Sequence, residues 1–387
     1  MKMISVGPFE GNAWLLGKRI ERALADWQEP AKLAIVYLPI RARHEDLLAA
    51  VASAAGVPVV GATTGGAAFT ERGVSRTGIV CALLGGDDLE VGCALARDLR
   101  ADPAKNLRAA LGDIEEGTAS GPRSGAQTSL LVLADAFACD GEELVTCLRH
   151  NVVPHARVFG GTAGDDWTFE GTKVFLGSKA FSDAAVLARL THRKRIHIDV
   201  LHGCRPADGG RDFTVSAIEG NLLRTLDGRP AATVYEEELR RLDLLSGGEG
   251  LLQTMAKHPL GARTPFGEEL KIRAPLALGA GGAITLASSL SKGEVVRVVT
   301  TSPDRLIQSA RSLSTRVIGP LPAVSGALVF DCAARFRLLG NRYGEQVLAF
   351  KGATDHPMAG VACYGEIAKF GGSIEGFHNT TAVMIGW

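Results

Sequence analysis

Short apolar blocks alternate with polar, glycine-broken stretches along most of the chain. Three stretches repeat one pattern: "KLAIVYLPIRARHEDLLAAVASAAGVPVVGATTGG" at 32–66, "TSLLVLADAFACDGEELVTCLRHNVVPHARVFGGTAGDD" at 128–166 and "GALVFDCAARFRLLGNRYGEQVLAFKGATDHPMAGVACYGE" at 326–366. Each opens on an apolar run of strand length and passes through a polar loop into a helical segment. A second apolar run and a glycine loop close it. The glycines fall at Gly61 and Gly65, Gly160 and Gly164, and Gly360 and Gly365. A further apolar segment follows each loop, at 77–86, 183–190 and 380–387. The unit is therefore strand, helix, strand, glycine turn, strand. Two strands joined through a helix are expected to be parallel, and the last, reached by a shorter loop, antiparallel. The pattern predicts an α/β (α+β) fold of two domains, whose repeated strand–helix–strand units form mixed sheets covered by helices.

Between the second and third stretches the pattern changes. "RIHIDVLHGCRP" (195–206) reads as a strand, and "FTVSAIEGNLLRTL" (213–226) as a strand–turn–strand pair. Pro230 opens a helix, residues 270–290 read as a hairpin around Gly279–Gly282, and Ser302 caps a helix with Pro303 in its first turn. The expected division falls near residue 195, giving domains 1–195 and 196–387. Residues 112–127 are polar and glycine-rich, and read as an exposed loop.

With 387 residues, the chain exceeds one ordinary hydrophobic core. Hydrophobic residues make up 46% and charged residues 22%, the balance of a globular protein. Lys plus Arg and Asp plus Glu both number 42, which leaves no electrostatic footprint for nucleic acid or an anionic membrane. The uncharged run 47–70 is long enough to raise a membrane question. Pro58 and its glycines resolve it into a helix end, a strand and a loop. Seven cysteines without a C-x-x-C pair fit neither a metal finger nor a disulfide framework, so a reducing cytoplasm is expected.

Several motifs appear in a fixed order: "GATTGG", "VFGGTAGDD", "AIEGNLLRTLDGRPAATVY", "HPLG", "IRAP", "LVFDCAAR", "CYGEI" and "HNTTAV". Together they resemble the FIST family, the first two its N-terminal half and the others its C-terminal half. The likeness covers roughly residues 30–387. It implies a cytosolic sensory module of signal transduction that binds a small ligand such as an amino acid. A subset of stand-alone members binds haem, senses nitric oxide and controls a histidine kinase. By that resemblance the partners are a small molecule and a signalling protein such as a histidine kinase. Homo-oligomerisation is left open.

The candidate chemistry gathers near the end of the chain. Asp331, Cys332 and Arg335 follow a strand, where α/β sheets bind ligands, and Arg335 could clamp a carboxylate. The alternative is a helix cap and a buried thiol. Tyr364 and Glu366 flank Gly365 and share a face of extended backbone. His378 and Asn379 precede the last strand, as pocket groups or as a turn that satisfies its own backbone. Arg273 either faces a ligand or pairs Glu269. The glycine turns match no phosphate-binding motif. Any haem would be non-covalent, with His378 and then His258 as candidate iron ligands; His258 reads more readily as a helix cap than as an iron ligand. A non-enzymatic sensor is the expected function. The alternatives are a hydrolase with Cys332 as nucleophile, His378 as base and Glu366 orienting it, or an interaction scaffold.

Overall fold

The computed structural model describes residues 1–116, 125–151, 156–245, 250–264, 269–369, 371 and 375–387. The fold is mixed α/β, and the described residues form three six-stranded sheets and one nine-stranded sheet.

The three six-stranded sheets share one plan. In the first, strands Ala31–Leu38 and Val59–Thr63 are parallel, joined through the helix His44–Ala55. In the second they are Gln127–Ala134 and Arg157–Thr162, joined through Gly141–Asn151. In the third they are Ala327–Cys332 and Met358–Cys363, joined through Ala333–Leu339 and Tyr343–Lys351. The expected parallel pairs form because each crossover is helical. The later apolar segments are antiparallel as expected, but they lie beside the first strand of each pair, not the second. Ile79–Gly85 pairs Ala31–Leu38, Ala184–His192 pairs Gln127–Ala134, and Ala382–Gly386 pairs Ala327–Cys332. Each in turn carries an outer strand: Lys2–Phe9, Glu90–Arg97 and His197–Leu201.

The last two places in each sheet are filled from another unit. After its glycine loop every unit sends a hairpin onto a neighbour. Ala68–Thr70 and Gly73–Ser75 extend the third sheet. Val174–Leu176 and Lys179–Phe181 extend the first, and Gly365–Lys369 and Gly376–His378 extend the second. The exchange is cyclic, giving the core a pseudo-threefold plan. Where the glycine loops meet, the Gly65 N–H donates to the Ala362 carbonyl at 2.6 Å, Gly164 to Thr63 at 2.9 Å and Tyr364 to Thr162 at 3.1 Å. The third-unit counterpart of Gly65 and Gly164 is thus Tyr364, not Gly365. Two of these sheets draw strands from both sides of residue 195, so that position divides the sequence and not the sheets.

In the first two units the outer strand leads directly to a helix, Ala13–Ala25 or Pro103–Glu116. In the third, the nine-stranded antiparallel sheet and two helices, Ala231–Arg241 and Leu251–Lys257, intervene before the helix Pro303–Ile318. Ser302 caps that helix, accepting the Arg305 N–H at 3.3 Å, as the sequence predicts. Pro230 stands at the N-cap of its helix, one position ahead of the expected first turn. Residues 112–116 continue a helix instead of the expected loop, and 117–124 of that stretch lie outside the described residues. No helix among the described residues is long and apolar enough to cross a membrane.

Candidate functional site

A cavity of about 380 Å³ opens where the second unit, the third unit and the inserted sheet meet. It lies beyond the carboxyl ends of the parallel strands Gln127–Ala134 and Ala327–Cys332, where loops leave a sheet and a ligand can reach backbone and side chains. The inserted sheet supplies its outer wall through Asn221, Ala274 and Leu276.

One carboxylate builds the aromatic side of this cavity. Asp165, 1% exposed, accepts the N–H groups of Thr168 at 3.1 Å, Phe169 at 3.3 Å and Glu170 at 3.0 Å. It also accepts the Tyr364 hydroxyl, whose oxygen receives the Trp167 N–H at 3.1 Å. Burial opposes ionisation of Asp165, but these bonds outweigh it and hold the carboxyl below its ordinary range. The loop is drawn so tightly that Trp167 and Phe169 adopt φ of 67° and 54°. The Phe169 ring stacks on Tyr364, centroids 5.2 Å apart, with Trp167 at 5.7 Å and Phe137 at 6.4 Å.

Asn379 stands in the wall of the cavity. It is 1% exposed, and neither its side-chain oxygen nor its nitrogen has a hydrogen-bond partner among the described residues. Buried amide groups ordinarily find partners, because leaving one unpaired costs about 1–3 kcal/mol. Asp140 is the one charged residue among the described lining. Its carboxylate is already occupied by the N–H of Glu142 at 2.9 Å and by the hydroxyl and N–H of Ser289 at 2.9 and 3.0 Å.

Of the candidate ligand residues, the cavity wall contains Tyr364 and Asn379. Arg335 does not reach it. Its guanidinium is fully buried, paired with Asp331 at 2.9 Å and bonded to Gln346 at 2.7 Å and to the carbonyls of His202 and Leu306 at 3.0 and 3.1 Å. Asp331 also accepts from Gln346 at 2.7 Å; burial raises its carboxyl to about 6 against the pull of Arg335. A clamp needs free donors, and these are spent inside the fold. Arg273, 3% exposed, does not pair Glu269 as one reading had it. It bonds Glu142 and the carbonyls of Ser289 at 2.9 Å and Phe377 at 3.3 Å, tying the inserted sheet to the core. Gly365 is packed under Phe377, whose ring would lie 1.9 Å from an added Cβ.

Glu366 and His378 are cross-strand partners beneath the cavity, both buried. Burial and then the charge of Asp331 push the Glu366 carboxyl well above its ordinary range. Burial and then Lys271 and Arg273 keep His378 neutral. Cys332 lines the cavity, but burial and Glu366 push its thiol well up, the reverse of an activated nucleophile. His258 caps the helix Leu251–Lys257 and is not in the wall. Neither histidine is among the described lining residues, and none of those residues offers an imidazole to hold a haem. Among the described residues no cluster of three His, Cys, Asp or Glu side chains could hold a metal ion.

Sequence reasoning missed the aromatic wall and Asp165. "GDDWTFE" contained the signal: two aromatics, two apart, in a polar loop after a glycine turn. Residues 32–229 match the FIST N domain and 231–369 the FIST C domain. No curated protein matches the chain significantly.

Proposed function

Because the chain belongs to the FIST family, whose domains are sensory modules of signal transduction rather than catalysts, we propose that it senses a small molecule held in the aromatic cavity between the inserted sheet and the core. The observation that carries this reading is Asn379, a buried side-chain amide left without a partner in the wall of a cavity of ligand size. A protein that needed only stability would place an apolar residue there. The wall joins three separate parts of the chain, so an occupant bridges them and adds its binding free energy to their cohesion. The signal then passes to a partner protein, for which a histidine kinase is the class suggested by the family resemblance. The test is a thermal-shift screen of metabolites on wild type and Asn379→Leu. The reading requires at least one compound that raises the melting temperature of wild type by several degrees and of the variant by much less. If every stabilising compound acts equally on both proteins, the site is elsewhere.

Catalysis at Cys332 is not part of this reading. Burial and the neighbouring Glu366 push the Cys332 thiol well up, the reverse of what an activated nucleophile needs. Wild type and Cys332→Ala are expected to show the same background rates with ester, amide and thioester substrates. A turnover lost in the variant would favour the hydrolase.

A further inference from the structure

The chemistry of the cavity wall selects among ligands. We propose that the occupant is a flat, uncharged heteroaromatic molecule carrying a hydrogen-bond donor and acceptor side by side, as the edge of a nucleobase or a primary aromatic amide does. This deepens the proposed function and rests on it.

Three observations carry the inference. The wall is aromatic on two sides: Phe137, Trp167, Phe169 and Tyr364 form one cluster, and Phe377 stands at the base. Such faces favour stacking with a planar ring. Among the described lining residues there is no Lys, Arg or His to meet a carboxylate or phosphate. The Arg that sequence order suggested for that role is locked to Asp331, Gln346 and two carbonyls. Asp140, the one anion among the described lining residues, has both oxygens occupied and sits at the start of the helix Gly141–Asn151, where it offsets the positive end of the helix. The described lining residues therefore offer a charged ligand no free counter-ion; Arg337, 5.0 Å from the centroid of the Trp167 ring, is not among them. Asn379 adds the last element. Its unpartnered oxygen and nitrogen form a donor–acceptor pair, which a complementary edge satisfies in two parallel hydrogen bonds. An ammonium group satisfies the oxygen alone, and a purely apolar ligand satisfies neither atom.

Calorimetric titration of the full chain with four probes tests this. Adenine and nicotinamide are flat, neutral and carry the paired edge. Nicotinate keeps the ring but is anionic, and phenyltrimethylammonium is cationic without a donor. Adenine or nicotinamide is expected to bind at least tenfold more tightly than either charged probe. Asn379→Leu is expected to weaken that binding about tenfold or more. Phe169→Ala, at a rim position 44% exposed, is expected to weaken it several-fold. Tighter binding of nicotinate or phenyltrimethylammonium, still lost in Phe169→Ala, overturns the ligand class and leaves the sensory cavity standing. If no probe binds in a way that depends on Phe169 or Asn379, both the class and the proposed site fail.

Discussion

Arg335 shows how a residue can look like a ligand clamp in sequence and serve as structure in the fold. Its side chain is inaccessible, and its partners are a carboxylate, an amide and main-chain carbonyls. Removing one partner of a fully buried ion pair strands the other, at a cost of about 3–5 kcal/mol. Arg335→Ala is therefore expected to lose stability of that order in urea unfolding, in the absence of any ligand. A variant of wild-type stability with weakened ligand binding would restore the clamp. Glu366 makes a second residue-scale prediction. Its folded pKa is raised, so its contribution to stability is fully present below the unfolded value of about 4.5 and is lost as pH rises toward the folded one. His378 acts in the opposite sense. Its folded pKa is lowered, so its contribution is present above the unfolded value of about 6.5 and lost below it. The whole-protein profile mixes these, but a paired comparison separates them. The stability of Glu366→Gln relative to wild type should grow as pH rises above 4.5, by at most about 1.4 kcal/mol per pH unit, and level off once the raised folded value is passed. Parallel profiles from pH 5 to 8 would mean that Glu366 is ionised in the folded protein.

At the scale of elements, one glycine recurs at one register position in all three units. Gly61 pairs Val36, Gly160 pairs Val132 and Gly360 pairs Val329. An added Cβ would stand 2.1 Å from the Val36 oxygen, 1.8 Å from the Val132 oxygen and 2.2 Å from the Phe69 ring, respectively. Exchanged hairpins crowd these strands, since Phe175 and Phe69 lie opposite Gly61 and Gly360. Gly61→Ala is expected to destabilise by about 1–3 kcal/mol through overpacking. Gly344, inside the helix Tyr343–Lys351 with open space around it, should behave in the reverse way. Gly344→Ala is expected to stabilise by about 0.5–1 kcal/mol, because alanine loses less backbone freedom in a helix. Denaturant midpoints of the two variants, falling on opposite sides of wild type, would check the pair. The repeated glycines were visible in sequence, and so was the strand–helix–strand order. The hairpins were not: Ala68–Thr70 and Gly73–Ser75 are three residues each, too short for any periodicity to show.

The cyclic exchange of hairpins ties the whole molecule together. Residues 1–195 hold four strands of the second sheet but not the hairpin Gly365–Lys369 and Gly376–His378 that covers Arg157–Thr162. They also contribute the hairpin Ala68–Thr70 and Gly73–Ser75 to a sheet that is otherwise built from residues 197–386. A fragment ending at 195 would expose a buried strand as an open edge, and open edges pair with other chains. Expressed alone, that fragment is expected to aggregate or remain unfolded by circular dichroism and gel filtration. Co-expression with 196–387 should restore a soluble complex. A stable, monomeric 1–195 fragment would make residue 195 a true domain boundary.

Local order was determined by sequence alone. The apolar runs, the helical segments and the glycine loops follow from periodicity and turn chemistry, which act between residues near in the chain. The motifs that mark the family are equally local. The tertiary structure decided everything that depends on which units meet. It placed Trp167 and Phe169 against Tyr364, some two hundred residues away, and set Asn379 in the same wall. It also took Arg335, Arg273 and Glu366 out of the cavity. A side chain's type shows what bonds it can make, but whether those bonds go to a ligand or to the fold depends on burial and on partners distant in sequence. In this chain the exchanged hairpins and the inserted sheet supply both, and neither leaves a periodic mark in the sequence.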